Sequence, residues 1–459
     1  MESPGAAVPP PGPSLDPVTD LVTFRVAHDD GGTPRRVWYH LKDHGADPTF
    51  RLEGAQWVAR IPRPPVARME YLLVVEWPDG TESMVTDPAN PRRIRSVFGD
   101  KSVIEFPGYA RPWWISVADA ADDQARRADE HRAAAERGGA GIGRMRPRGP
   151  TSARTGASRL VAVPTPSTFA EDADPTQVFG EGVASVRMRP RYRGGDDRRR
   201  RAPAIRSHPV AALVAEQRTA HVVDADADVA ITGQLHVPAD SPPSEPLPLL
   251  VVHDGPEYAD LAQLLRYLTT LVRTERGLRC RVLLLDPIDR DRSYSASPGY
   301  ARALVTRMLP RVTGAVATSG RPVGMGASLG GLAMMHAATS YPGTFSGVFS
   351  QSGSFFRPRT DGMERGFPHY DRIVGFVDDL DVDPERLADL RVSMTCGTGE
   401  ENLANNRSVA QRLARLGMPV ALVENPDGHN YAGWRDCLDP SLRRLLRAAW
   451  GRTGSLHDH

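Results

Sequence analysis

The hydrophobic pattern of this chain changes character twice. Between about residues 20 and 110 apolar and polar positions alternate. Phe24 and Val26 share one face, as do Val37 with Tyr39, and Trp57 with Ala59 and Ile61. Tyr71, Leu73, Val75 and Trp77 carry the alternation further, and Pro78-Asp79-Gly80 then supplies a turn. Short runs of period two, separated by turn residues, predict several strands with one buried face each. Together they predict a small Ig-like β-sandwich.

Over residues 111–205 the alternation disappears. Val117 to Arg137 is rich in Ala, Arg, Asp and Glu and predicts a lone exposed helix. The stretch beyond it is mostly Gly, Pro, Arg and Ser, with the basic run Arg198–Arg201. Such a composition buries too little apolar surface to offset the entropy of ordering, so it reads as a linker. The basic run reads as part of that solvated linker rather than as a nucleic-acid contact.

From about residue 207 short apolar runs alternate with helical stretches. The runs are Leu249–His253, Arg281–Ile288, Val323–Ala327, Phe345–Ser350, Val392–Cys396 and Val420–Glu424. Helices are predicted near 258–277, 298–315, 329–341 and 402–417. Strands alternating with helices predict a parallel sheet covered on both faces. The expected fold class is therefore α/β, with a parallel-sheet domain at 207–453 preceded by an all-β sandwich at 19–115. A long disordered linker at 116–206 joins them, and a disordered Pro-rich N-terminus (1–18) and a polar tail (454–459) flank them.

Composition narrows the function. A chain of 459 residues predicts two or three domains, and 40% hydrophobic with 25% charged residues is the balance of a soluble globular protein. A net charge of +1 gives no argument for nucleic acid or membrane as a main partner, and neither is expected. Nearly all the basic residues are arginine, since only Lys42 and Lys101 are lysines. Cys280, Cys396 and Cys437 follow no metal-ligand spacing and read as buried free thiols of a reducing compartment. The start Met-Glu-Ser-Pro-Gly does not read as a secretory signal, and no apolar run approaches the length of a membrane span. A cytoplasmic location is expected.

The chemistry centres on one pattern. Gly326-Ala327-Ser328-Leu329-Gly330 fits G-x-S-x-G, with Gly331 directly after it. Apolar residues precede it and a helix-compatible stretch comes after, which is the strand–serine–helix context a nucleophile elbow requires. The elbow marks 207–453 as an expected α/β-hydrolase domain. A serine needs a base, and in that fold the chain order is serine, acid, histidine. His336 sits within the helix after the serine, and His457 and His459 sit in the polar tail. His429 lies in the loop after a late strand, where the base belongs, with His369 a weaker alternative. The acid belongs after the preceding strand, in Gly397-Thr398-Gly399-Glu400-Glu401. Glu400 is the first choice, Glu401 the reserve and Asp427 a third candidate. The oxyanion hole is expected from the backbone N–H of Leu329 and one from the loop His253-Asp254-Gly255-Pro256, with Gly255 as the donor residue. Pro256 has no N–H and narrows the choice there. No cofactor and no metal is expected.

These residues together resemble the enterochelin esterase family, within the wider esterase D group. The resemblance rests on Asp254-Gly255, Arg292, Leu309-Pro310, Ser328-Leu329-Gly330-Gly331, the run Phe345–Ser354, Gly397 with Glu400, Gly428-His429 and Trp434-Arg435. In the sandwich half, Asp87-Pro88-Ala89-Asn90-Pro91 is similar to the family's D-P-x-N-P stretch. The family's Glu three residues after its arginine is replaced here by Ser295, and the linker is longer than the family's. The resemblance implies a serine esterase that hydrolyses the ester bonds of a ferric catecholate siderophore. It also implies Arg292, Trp434 and Arg435 as substrate-binding residues, the arginines suiting an anionic ligand. Two other readings stay open: a carboxylesterase or acyltransferase of different specificity on the same fold, and a non-catalytic binding protein.

Overall fold

The computed structural model describes residues 10–28, 32–41, 48–138, 216–224, 229–238, 241–274, 279–380, 387 and 389–451. The predicted linker beyond Gly138, with Arg198–Arg201, and the predicted polar tail lie outside the described residues.

The N-terminal strands are β1 (Gly12–Asp16), β2 (Leu21–Ala27), β3 (Thr33–Trp38), β4 (Arg51–Glu53), β5 (Gln56–Pro62), β6 (Arg68–Glu76), β7 (Glu82–Val85), β8 (Arg93–Ser96) and β9 (Gly99–Glu105). They form two antiparallel sheets, ordered β1-β2-β5-β4 and β3-β6-β9-β8, with β7 on β6. Between them lies a core of Val22, Phe24, Val37, Ile61, Tyr71 and Leu73. The alternation along the sequence is the origin of this core, since every second residue of a strand faces the same side.

Residues 12–16 correct one expectation. Their Pro-rich surroundings predict a disordered terminus, but they form β1, an edge strand paired to β2. Leu15 stands opposite Val22, at the edge of the core. Proline at residue 13 is tolerated there because an edge strand has one side that donates to no neighbour.

Helix α1 (Trp113–Gly138) comes next. The predicted helix is there, but its start is not exposed. Trp114 and Ile115 are fully buried, and Arg266 bonds both Asp119 and Asp122. Trp113 and Trp114 lie just before the stretch whose composition suggests an isolated helix, and they dock it.

The C-terminal half is one eight-stranded sheet, ordered β10-β11-β13-β12-β14-β15-β16-β17. Its strands are β10 (Glu216–Asp224), β11 (Val229–Val237), β12 (Leu249–Val252), β13 (Arg281–Pro287), β14 (Val323–Ala327), β15 (Gly347–Gln351), β16 (Arg391–Gly397) and β17 (Val420–Asn425). The pairs from β13 through β17 are parallel; β10 and β11 add an antiparallel edge that the apolar-run pattern does not reveal. All four residues of β12 and all five of β14 are buried, as strands covered on both faces must be.

Two helical layers provide the cover. One holds α2 (Gly255–Asp260), α3 (Leu264–Arg273), α10 (Tyr431–Asp436), α11 (Leu438–Trp450) and the start of α1. The other holds α4 (Arg290–Tyr294), α5 (Pro298–Ala303), α6 (Leu309–Ala315), α7 (Leu329–Ser340), α8 (Tyr370–Asp378) and α9 (Leu403–Arg415). Among the described residues no helix is long and apolar enough to cross a membrane.

Candidate active site

Ser328 occupies the turn between β14 and α7 with φ 54° and ψ −126°, a region that non-glycine residues rarely adopt. Two close approaches hold it there. A Cβ on Gly326 would lie 2.5 Å from the carbonyl carbon and oxygen of Gly330, and one on Gly331 would lie 2.6 Å from the Ser350 hydroxyl. Glycine at both places lets the helix start directly over the strand end. The first N–H groups of α7, including that of Leu329, have no intrahelical acceptor and lie at the positive end of the helix dipole. The Ser328 hydroxyl is 3.0 Å from the Ser354 hydroxyl, and the Ser328 carbonyl accepts the Ser354 N–H.

His429 lies in the loop after β17, and its Nδ1 is 2.8 Å from Glu400 Oε2. Glu400, in the loop after β16, is 2% exposed. Its other oxygen accepts the Gly397 N–H at 2.8 Å and the Ser352 hydroxyl at 2.7 Å. Burial disfavours a charged imidazole, but the Glu400 carboxylate outweighs it and holds the His429 pKa above its ordinary value. Of the three acid candidates only Glu400 meets His429 in this way. Glu401 turns to His40 at 3.3 Å, and Asp427 turns to Arg68 at 3.0 Å. Trp434 stands edge-on to the imidazole at 5.0 Å, and its Nε1–H donates to Ser352. It is buried, as a support for the ring.

The loop after β12 holds His253, Asp254 and Gly255. Asp254 takes φ 50°, and Gly255 opens α2. A Cβ on Gly255 would come 2.6 Å from the Leu284 backbone, so the position admits no side chain. Pro256 is in the first turn of α2, where its missing N–H removes no helical bond. Asp254 accepts a bidentate contact from Arg290, at 2.7 and 2.9 Å. Arg290 is thus tied to the loop that carries Gly255, and its charge acts on His429. Arg292 is exposed on α4, its N–H capping to Asp289. Arg435 is buried and bonds Asp436 at 2.8 Å, which also accepts the Tyr109 hydroxyl. Arg435, expected to contact substrate, thus pairs with its neighbour in the chain. Two other candidate histidines have different surroundings. His336 is buried against Phe376, and burial lowers its pKa to about 4, while His369 is the residue before α8. Cys280, Cys396 and Cys437 are free thiols.

Three contributors have no role assigned from the sequence: Ser352, Ser354 and Arg290. The available signal for the first two is Gln351-Ser352-Gly353-Ser354, a polar run closing an otherwise apolar strand. Among the described residues no group of His, Cys, Asp or Glu side chains is arranged to hold a metal ion.

Residues 226–445 match the family model described as "Putative esterase". Two Iron(III) enterobactin esterases of Escherichia coli match over 206 residues, at 26% identity and, for strain K12, 25%. Each match covers 43% of this chain and 50% of the relative, so the chain spans about half the length of the curated relatives it matches. Over its C-terminal half the chain is thus similar in sequence to enterochelin esterases. Its fold agrees over nearly the whole length with solved enterochelin esterases. The enterochelin esterase of Shigella flexneri superposes with a TM-score of 0.57 over 95% of both chains, at 18% identity. The ferric enterobactin esterase of Salmonella typhimurium gives 0.58 over 96% of this chain and 98% of its own, at 19% identity. The β-sandwich preceding an α/β-hydrolase domain is thus an enterochelin esterase architecture.

Proposed function

We propose that this chain is a serine carboxylic ester hydrolase acting on a catecholate siderophore ester. The observation that carries the reading is convergence at one sheet edge. Ser328, Glu400 and His429 come directly after β14, β16 and β17, and the parallel register of β14 to β17 brings these strand ends to the same side. Ligand sites of parallel sheets lie outside the carboxyl ends of the strands.

In the proposed reaction Ser328 Oγ attacks the ester carbonyl carbon, and its proton passes to His429 Nε2. Glu400, on Nδ1, keeps the imidazole in the right tautomer and stabilises its charged form. The oxyanion rests on the Leu329 N–H and on a donor at Gly255. The alcohol leaves with the proton from His429, giving an acyl-serine. Water, deprotonated by His429, then releases the acid and restores Ser328. The substrate class is supported by the Escherichia coli relatives, named as Iron(III) enterobactin esterases. Arg290 is the cation best placed to meet an anionic ferric catecholate, and hydrolysis in the cytoplasm would release its iron.

A fluorophosphonate probe should label Ser328, and Ser328→Ala should abolish both labelling and ester hydrolysis. Full esterase activity in Ser328→Ala would sink the mechanism. Assays on ferric catecholate esters beside simple esters test the substrate. Cleavage of simple esters alone would leave an esterase of another specificity, and absence of labelling in folded protein would leave a binding protein.

A further inference from the structure

The α/β domain holds the serine, the acid and the histidine, yet the β-sandwich reaches into the loops that carry two of them. Arg68 on β6 is 2% exposed. Its Nη2 donates to Asp427 Oδ2 at 3.0 Å and to Asn430 Oδ1 at 2.7 Å, and its Nε adds a contact to Asp427 at 3.2 Å. Asp427 and Asn430 stand on either side of His429. One guanidinium therefore grips both flanks of the histidine loop.

The grip is passed on to the backbone. Asp427 Oδ1 accepts the Gly428 N–H at 2.7 Å and the Asn430 side-chain amide at 2.9 Å. Asn430 Oδ1 also caps α10 by accepting the Gly433 N–H at 2.8 Å. Around Arg68 the sandwich makes further contacts of the same kind. The Ala67 N–H donates to the Pro426 carbonyl at 2.6 Å, and the Thr398 hydroxyl donates to the Pro65 carbonyl at 3.2 Å. Thr398 lies in the acid loop, whose Gly399 N–H donates to the Asp427 carbonyl at 3.0 Å. Leu41 of the sandwich packs so closely that a Cβ on Gly399 or Gly428 would lie 2.8 or 2.6 Å from its methyl group. Glu70 and Lys101 complete the cluster, so two cations face two anions.

We infer that Arg68 is a positioning residue for His429, and that the β-sandwich sets the geometry of the reacting imidazole independently of any contact with substrate. A planar guanidinium with several fixed donors can span two acceptors that flank a loop, which a lysine ammonium cannot do with the same definition. The inference rests on the reading of His429 as the base, so its test includes a readout that needs no turnover.

The experiment compares the full chain with Arg68→Lys and Arg68→Met. The substrate is p-nitrophenyl acetate, an ester small enough to react at Ser328 without bridging to the sandwich. Arg68→Met should lower kcat about 10²-fold, the scale of a displacement of about 1 Å at a catalytic group, with KM little changed. Arg68→Lys should recover part of that loss. The second readout is the NMR titration of the His429 ring, assigned with His429→Gln. Its pKa should shift in both variants while the melting temperature of Arg68→Lys stays close to that of the parent. Wild-type kcat and an unmoved His429 titration in folded Arg68→Lys would overturn the inference even if Arg68→Met did not fold. Loss confined to bulky esters would do the same, by making Arg68 a substrate-contact residue. If the parent chain hydrolyses nothing and Ser328 takes no fluorophosphonate, the proposed function fails, and the ring titration still decides whether Arg68 sets His429.

Discussion

Replacing Glu400 by Gln makes the sharpest test of the proposed site, because the structure determines how the amide must sit. Glu400 accepts from three donors: His429 Nδ1 on one oxygen, and the Gly397 N–H and Ser352 hydroxyl on the other. The Gly397 N–H can only donate, so a glutamine must keep its carbonyl oxygen there and turn its NH2 toward His429. Nδ1 then has to accept, the ring proton moves to Nε2, and Nε2 can no longer take the proton of Ser328. By analogy with the tautomer-trapping substitution in serine proteases, kcat should fall by about 10³–10⁴, or about 4–5.5 kcal/mol of barrier. Flipping the amide would restore the tautomer only by opposing two donors at Gly397, at about 1–3 kcal/mol for each unsatisfied buried group, and would still leave the imidazolium without a carboxylate.

The pH profile carries a second signature. Activity needs neutral His429, whose pKa the Glu400 carboxylate raises. In the parent, activity therefore rises with pH through that raised value. With that carboxylate gone, burial outweighs the remaining pull of Glu401, so the acid limb of residual activity should move to lower pH. Glu401→Gln serves as control, since Glu401 pairs with His40 and should alter kcat only slightly. Steady-state hydrolysis of p-nitrophenyl acetate from pH 5 to 9 measures both. Near-normal kcat in Glu400→Gln, or a large fall in Glu401→Gln instead, would refute the assignment.

Ser352→Ala removes a donor to Glu400 and the acceptor of Trp434 Nε1–H, and should lower kcat about tenfold with KM unchanged, the scale of one lost hydrogen bond, when assayed on the same ester. Gly326→Ala sets a Cβ against rigid backbone at Gly330, so urea denaturation should show a loss of about 1–3 kcal/mol, with slower fluorophosphonate labelling of Ser328. Arg435→Ala should leave KM for an anionic ester unchanged but lower the melting temperature, because Arg435 is buried on Asp436. Arg290→Ala leaves the buried Asp254 carboxylate unpaired and should weaken binding of anionic esters more than of neutral ones, read from KM across the two.

Much of this molecule is legible along the chain. A strand of period two declares its buried face, and a parallel strand covered on both sides declares itself as an unbroken apolar run. That is why the sandwich core from Phe24 to Leu73, the strands from β12 to β17 and the elbow at Ser328 can all be read directly. The elbow needs only neighbours in sequence, and so does the order of serine, acid and histidine. The choice of Glu400 over Glu401 and Asp427 is different in kind. All three lie in loops, and which carboxylate meets His429 depends on side-chain direction at the ends of β16 and β17.

Arg68 shows the limit most plainly. In β6 it alternates with Met69, Tyr71 and Leu73, on the phase that a sandwich turns toward solvent. Only the docking of the α/β domain buries it, giving its charge partners in Asp427 and Asn430, some 360 residues away in the chain. Strand β11, which carries β10 at the sheet edge, is hidden for a related reason. It buries alternate residues only, so it shows no unbroken apolar run. Local pattern, set by backbone periodicity and turn chemistry, determined the elements and the nucleophile. Packing between elements distant in sequence decided which charges are buried, which acid holds the histidine, and how the sandwich takes hold of the site.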